Sequence, residues 1–538
     1  LTGSKLLNGD GTLQEAGGLF WSDGSAWNFG RGQDPLLPAF NYQKDVDYIS
    51  GASIALPTRL WRQMGGFDPF YSPAYCEDSD LAFRIRAAGY RTVYQPHSVL
   101  VHHEGRSHGR DTSGGIKAYQ VVNQAKLLER WRQTLIAENL PHGEDVFLAR
   151  DRSKNRPHIL IVDHYLPQWD QDAGSRTMLH FIRAFVDRGF QVTIWPDNLN
   201  EDREYAVQLQ RMGVEVIYGR QYVNRFDAWM AENGGYLDYV LLSRPHIAER
   251  YIDTARQYKA KLIYYGHDLH CMRARSTYEV SGDSSDLSEA ETWEARELAV
   301  AKRSDIVMYP GIEEVAFIAA RMPTKVSVIR PPITIFDEQE FTEASEAISL
   351  GREIDPYALM FVGGFAHTPN GDGVDWFLNE VWPLLLAHDK RFTLRIAGSR
   401  MPDALQARRE LGVTMLGRVS EQELKHLYAT SSVAIVPLRF GGGIKGKVIE
   451  AFARGVPVVM TEIGAQGIVD AETLGFVAPS DGQRFAEAVI QAAEDREEAL
   501  RRAGQGLDFL RRQYSQKAFC DLLGAEVPEL LRRVGSPS

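Results

Sequence analysis

The stretch PLRFGGGIKGKVIEAFARGVPVV, residues 437–459, carries an apolar strand, a triple-glycine turn and a helix that opens near Gly446. Glycines at such a turn let backbone N–H groups approach an anion, and the helix N-terminus adds about half a positive charge there. A diphosphate is the natural occupant. Lys447 and Glu450 are three apart and share a helix face, whereas Lys445 is two from Lys447 and points elsewhere. One face therefore presents a phosphate partner and an acceptor for a diol. The plainer reading of the same residues is an i, i+3 surface ion pair after an ordinary glycine turn.

Outward from that turn, short apolar β-branched runs alternate with amphipathic segments. From residue 157 they read HILIVDHYL, MLHFIRAFVDRGF, QVTIWP, VEVIYG, DYVLLSR, KLIYYGHD and DIVMYP. This is the rhythm of a parallel, doubly wound sheet. It pauses over residues 329–347, where Arg330, Pro331 and Pro332 interrupt it, and restarts with YALMFVGG, FTLRIAG, VTMLGRV, SVAIVPL and VPVVMT. The pattern predicts α/β architecture with two Rossmann-like domains, 157–335 and 336–538, whose strand ends surround a cleft. Residues 1–138 are rich in glycine and aromatics and close on a helix over about 116–135, and the polar stretch 139–156 reads as a linker.

At 538 residues the chain exceeds one hydrophobic core. A formal charge of −11 argues against nucleic acid held by a general basic field. Cys76, Cys271 and Cys520 are far apart, so neither a disulfide framework nor a zinc cluster is indicated and a reducing, cytoplasmic setting is expected. The longest apolar runs fall short of the ~20 residues that span a bilayer. The chain starts at Leu1 without a charged-then-apolar leader, so it is expected to begin inside a larger reading frame.

Five segments in order, DAGSRTM (172–178), YGHDLH (265–270), FVGGFAHTPN (361–370), LGRVSEQELKHLY (416–428) and GGGIKGKVIEA (441–451), resemble glycosyltransferase family 4 over about residues 157–515. That resemblance implies a GT-B fold and retaining transfer from a nucleotide diphosphate sugar without a metal cofactor. It implies that Glu450 holds the donor ribose, that Lys447 faces the diphosphate with Lys445, Gly443 and Gly364 nearby, and that His267 lines the transfer site. Gly174 and Arg176 would face the donor phosphates or the acceptor. Gly442 stands where many members have the first acid of an E-x7-E pattern, so backbone N–H groups or another residue must contact the donor sugar there. Asn370, in this reading, is a helix N-cap.

The runs DVDYISGAS (45–53), GGFDPF (65–70), YCEDSDLAFRIRAAGY (75–90) and VHHEG (101–105) resemble the acceptor-side half of glycosyltransferase family 2, an inverting, metal-dependent GT-A family. By that similarity Asp78 is the general base and His102 a late metal or diphosphate ligand, with Mg²⁺ or Mn²⁺ expected only for an intact module. The plainer reading makes Glu77, Asp78 and Asp80 first-turn helix acids, Asp80 pairing with Arg84. The two resemblances together imply a glycosyltransferase of bacterial surface polysaccharide synthesis. Its partners would be a nucleotide sugar and a glycan or lipid-linked acceptor that allows peripheral membrane association. Two other classes share these residues: a GT-B sugar-nucleotide 2-epimerase and a non-catalytic glycan-binding protein.

Overall fold

The computed structural model describes residues 1–103, 118–281, 283–350, 354–441 and 444–531. The chain divides into two compact units. One comprises Leu1–Tyr309, Ala316–Ile329 and a C-terminal stretch beginning at Leu523; the other comprises Pro310–Val315 and Arg330–Leu522.

The first unit contains two sheets. Seven parallel strands, His158–Asp163, Gln191–Pro196, Glu215–Val216, Tyr239–Ser243, Lys261–Tyr265, Ile306–Met308 and Ser327–Ile329, lie side by side in the order 3-2-1-4-5-6-7. The reversal of order falls between the first and fourth strands, which is where an open α/β sheet leaves a crevice at its carboxyl edge. Both faces are covered, so the strands HILIVD, QVTIWP and YVLLS are buried throughout, as parallel strands must be. The second unit repeats the scheme with six parallel strands, Ala358–Val362, Thr393–Ala397, Val413–Gly417, Val433–Val436, Val458–Thr461 and Phe476–Ala478, in the order 3-2-1-4-5-6. Separate buried clusters fill this unit, one including Phe377, Trp382 and Phe485 and the other Phe452, Leu510 and Tyr514. The pause in the strand rhythm holds a helix, Glu338–Ser349, started by a capping box in which Asp337 and Glu340 satisfy each other's backbone N–H groups.

The glycine- and aromatic-rich N-terminal part folds around a five-stranded mixed sheet in which Thr2–Leu7 pairs in parallel with Val93–Val101. Its core gathers Phe20, Phe40, Tyr71, Phe83 and Tyr94, and the closing helix runs Ala118–Glu138. Asp80, fully buried, accepts from Arg84 at 2.6 Å and from Trp131 at 2.9 Å, so the helix-acid reading holds for this residue.

The polar segment 139–156 is packed into the first unit. It carries the short helix Val146–Ala149 and buries Asn139, Arg150, Asp151 and Ser153. Three of these side chains, Asn139, Arg150 and Asp151, bond to residues outside the segment. Asn139 donates to Asp47 and to the Phe20 carbonyl, both at 2.9 Å, and Tyr42 donates to Asp151 at 2.7 Å. Arg150 donates to Glu215, on the third strand of the seven-stranded sheet, at 2.6 Å. Tyr218 closes the same seam by donating to the Leu36 carbonyl at 3.0 Å. Polarity here reflects a buried joint between the N-terminal sheet and the seven-stranded sheet. Among the described residues, no helix is long and apolar enough to cross a membrane.

Arg150 and Glu215 are both nearly sealed from solvent, so breaking the pair strands a buried charge. Glu215→Ala is expected to destabilise the first unit by about 3 kcal/mol, measured by denaturant unfolding. A loss below about 1 kcal/mol, typical of an exposed pair, would show that the joint is wet.

Candidate functional site

Both parallel sheets gather polar groups at their carboxyl ends. In the first unit three adjacent strands end in Asp163, Ser243 and Tyr265, and the residues just beyond them carry the chemistry. His267, two residues past its strand, has φ +65°, and Arg244, one past its own, has φ +72°. Non-glycine residues are rarely held in the left-handed region, at a cost of about 1–3 kcal/mol each, and they persist where surrounding contacts fix them. Here His267 Nε2 shares a hydrogen bond of 2.8 Å with Ser243 Oγ, and its ring lies 4.2 Å from the Tyr265 ring. Arg244 Nε donates to Asp163 Oδ1 at 3.2 Å, and His164 Nδ1 lies 2.8 Å from the same oxygen.

Gly174 completes this cluster from the helix Ala173–Asp187, whose N-cap Asp172 accepts from the Ser175 N–H at 2.7 Å. A Cβ at Gly174 would stand 3.0 Å from His267 Nδ1 and 3.2 Å from Arg244 Nη2, so the absence of a side chain lets both groups reach the helix start. Burial lowers the His267 imidazole to about 4, with Asp163 opposing the shift, so the ring is neutral at physiological pH. Burial alone would raise Asp163; the hydrogen bond from His164 and the nearby Arg244 charge overcome it and bring the carboxyl to about 2. A neutral imidazole, a guanidinium held by a buried carboxylate and a helix N-terminus can bind an anion or orient a hydroxyl. Arg176 is exposed, its Nε donating to the Trp169 carbonyl at 3.3 Å.

In the second unit, the helix Gly446–Ala453 follows the turn after strand Val433–Val436. Gly442 and Gly443 lie outside the described residues. Lys445 is the N-cap and donates to the Gly441 carbonyl at 3.1 Å, while its charge still acts on Lys447. Lys447 donates to Asn370 Oδ1, and Glu450 accepts from the Tyr428 hydroxyl at 3.3 Å. Asn370 is not an N-cap. His367 stands at the N-cap position of the helix Thr368–Trp376 without a side-chain cap, and Asn370, the helix's third residue, donates from Nδ2 to the Gly364 carbonyl at 2.7 Å. Asn370 thus brings Lys447 and Gly364 together.

In the N-terminal part, Asp78 starts the helix Glu77–Ala87 and accepts from the N–H groups of Gly51 and Ser79, each at 2.7 Å. The adjacent Ser50 N–H donates to Glu15 at 3.2 Å. Burial raises Asp78 and pushes Glu15 up to about 8. His102 Nδ1 lies 2.8 Å from Gln14 Oε1. Asp78 and His102 therefore have separate partners. Among the described residues no three His, Cys, Asp or Glu side chains form a group that could hold a metal ion.

Residues 33–131 match the family model "Glycosyltransferase like family 2", and residues 356–495 match "Glycosyl transferases group 1". Two separate stretches of the chain thus match models of two glycosyltransferase families. Over 122 residues the chain is 32% identical to an N-acetylglucosaminyl-diphospho-decaprenol L-rhamnosyltransferase from Mycobacterium tuberculosis, covering 22% of this chain and 38% of the relative. An uncharacterized 44.6 kDa protein in the cps region of Klebsiella pneumoniae is 25% identical over 166 residues, covering 30% of this chain and 43% of the relative. The chain thus spans about two fifths of the length of these curated relatives. Sucrose-phosphate synthase from Thermosynechococcus elongatus superposes with a TM-score of 0.47 at 17% identity over 70% of this chain and 99% of its own. The group 1 match contains Gly364, Asn370, Lys447 and Glu450, and the family 2 match contains Asp78 and Glu77.

The sequence reading missed Asp163, Ser243 and Arg244. The available signal was that each sits at a strand end beside His267, on strands that the apolar runs already marked.

Asp163 has a depressed folded-state pKa, so its contribution is present above the unfolded carboxyl value near pH 4 and is lost as pH falls toward about 2. Asp163→Asn is expected to cost about 2 kcal/mol at neutral pH, with the gap to wild type narrowing between pH 4 and 2. Thermal melts across that range check this; a gap independent of pH would mean that Asp163 carries no such linkage.

Proposed function

We propose that the chain transfers a sugar from a nucleotide diphosphate sugar, held by its second unit, to a glycan or lipid-linked glycan in bacterial surface polysaccharide synthesis. The observation that carries this reading is the convergence of Lys447, Glu450 and the N-terminus of helix Gly446–Ala453 at the carboxyl edge of a parallel sheet. Breaking an anomeric C–O bond builds negative charge on the departing diphosphate, and fixed positive groups aimed there are the largest catalytic term available. Lys447 and the helix N-terminus supply it. Glu450, oriented by Tyr428, accepts from the donor ribose hydroxyls.

In the first unit, neutral His267, fixed by Ser243, orients an acceptor hydroxyl, with Gly174 beside it and Arg176 exposed two residues further on. The likeness to family 4 supports transfer with retention. In the N-terminal part, Asp78 is the acceptor base of the family 2 segment, and burial, which raises its pKa, suits that role. His102 is its diphosphate or metal ligand. The rhamnosyltransferase relative, named for a diphospho-decaprenol substrate, supports a lipid-linked acceptor and with it work at the inner face of the cytoplasmic membrane.

Glu450→Gln is expected to weaken donor binding at least about tenfold, since two charge-assisted hydrogen bonds are worth roughly 1.5–3 kcal/mol. Lys447→Ala is expected to act mainly on kcat, because charge on the diphosphate grows toward the transition state. Steady-state kinetics of both variants check this, and unchanged constants in both would remove the site from the second unit.

A further inference from the structure

Lys447 is a half-buried cation whose nearest anchor is an amide. Its ammonium donates to Asn370 Oδ1 and stands 5.0 Å from the centre of the Phe361 ring. Asn370 is only 4% exposed and passes the contact on, donating to the Gly364 carbonyl at 2.7 Å. The charged neighbours acting on Lys447 are Lys445 and Glu450, from its own turn and helix. Of the elements packed against it, the helix Thr368–Trp376 brings Asn370, and the strand Ala358–Val362 brings Phe361. Asp372 on the former helix is engaged by Arg439, and Tyr428 from the helix Glu421–Ala429 is engaged by Glu450.

An amide thus occupies the place where a carboxylate would be a permanent counter-ion. A carboxylate there would pair with the lysine and compete with an arriving anion, whereas an amide oxygen orients the ammonium without adding a negative charge to that of Glu450. We propose that Asn370 is a positioning residue that ties Lys447 to the Gly364 turn, so that the lysine and the turn meet a donor's diphosphate as one preformed unit. This role rests on the diphosphate reading above and adds to it a dependence on protons. Burial lowers Lys447 to about 8, with Lys445 reinforcing the shift and Glu450 opposing it. A bound diphosphate favours the charged form. Near pH 8 its binding therefore draws a proton from solvent onto the neutral fraction of Nζ, while at pH 6.5 the amine is already protonated and takes up none.

Two measurements on the full chain test this. Without ligand, the pH dependence of Lys447 acylation by acetic anhydride, followed by mass spectrometry, reports when the amine loses its proton. The midpoint is expected near 8 in wild type and at least about one unit higher in Asn370→Asp, because the new carboxylate holds the ammonium. With UDP and with inorganic pyrophosphate, calorimetry in buffers of different ionisation enthalpy is expected to show proton uptake at pH 8 in wild type and its loss in Asn370→Asp. In Asn370→Ala, binding is expected to weaken about tenfold. An acylation midpoint and anion affinities unchanged in both folded variants would overturn the positioning role. A shifted midpoint with no binding of either anion by wild type would keep the Asn370–Lys447 coupling and overturn the diphosphate reading.

Discussion

A parallel strand covered on both faces has one place to put polar chemistry, namely the carboxyl edge where its chain leaves the sheet. Along the strand most side chains meet a helix and are apolar; at the edge, backbone groups and the first turns of the following helices come free together. The site residues of the two large sheets gather at that edge. Asp163, Ser243 and Arg244, and His267 follow three neighbouring strands of one sheet. The Gly364 carbonyl and the Lys445–Lys447 turn follow two neighbouring strands of the other, Ala358–Val362 and Val433–Val436, which pair directly.

The electrostatics of the two edges differ in kind. At the first, a buried carboxylate binds its cation outright, and Asp163 and Arg244 fix each other. At the second, the half-buried cation Lys447 leans on a neutral amide and an aromatic ring, with Glu450 acting on it only through its charge. An ion pair gives a rigid wall, whereas a cation hydrogen-bonded to an amide keeps its charge available to an arriving anion. That contrast, more than the glycine turn alone, supports the proposal that the second unit holds the sugar donor.

Much of this was legible in the residues. The apolar runs placed the strands, and the pause after Ile329 marked where one sheet gives way to the next, because burial on both faces leaves a continuous signal. The spacing of Lys447 and Glu450 gave their shared helix face. Asn370 was misjudged because asparagine before a helix favours capping, and only the tertiary approach of Lys447, 77 positions away, gives it other work. Arg244 and Asp163, 81 positions apart, carry no local pattern at all. The stretch 139–156 looks like a linker because its residues are polar, yet Arg150 and Asp151 are paired with Glu215 and Tyr42 in the interior. Composition cannot distinguish a solvated polar segment from one whose partners arrive from distant strands.

The central claim is that the second unit recognises the diphosphate of a sugar nucleotide and uses it in transfer. Its most direct test is to incubate the full chain with a panel of UDP-, GDP- and dTDP-sugars, following the melting temperature and the fate of each nucleotide. A ligand that binds only the native state raises its apparent stability in a concentration-dependent way. The account predicts that at least one sugar nucleotide gives saturable stabilisation and that its nucleoside diphosphate is released when acceptor is present. Stabilisation by none of them would contradict it, as would conversion of a bound sugar nucleotide to its epimer with no release.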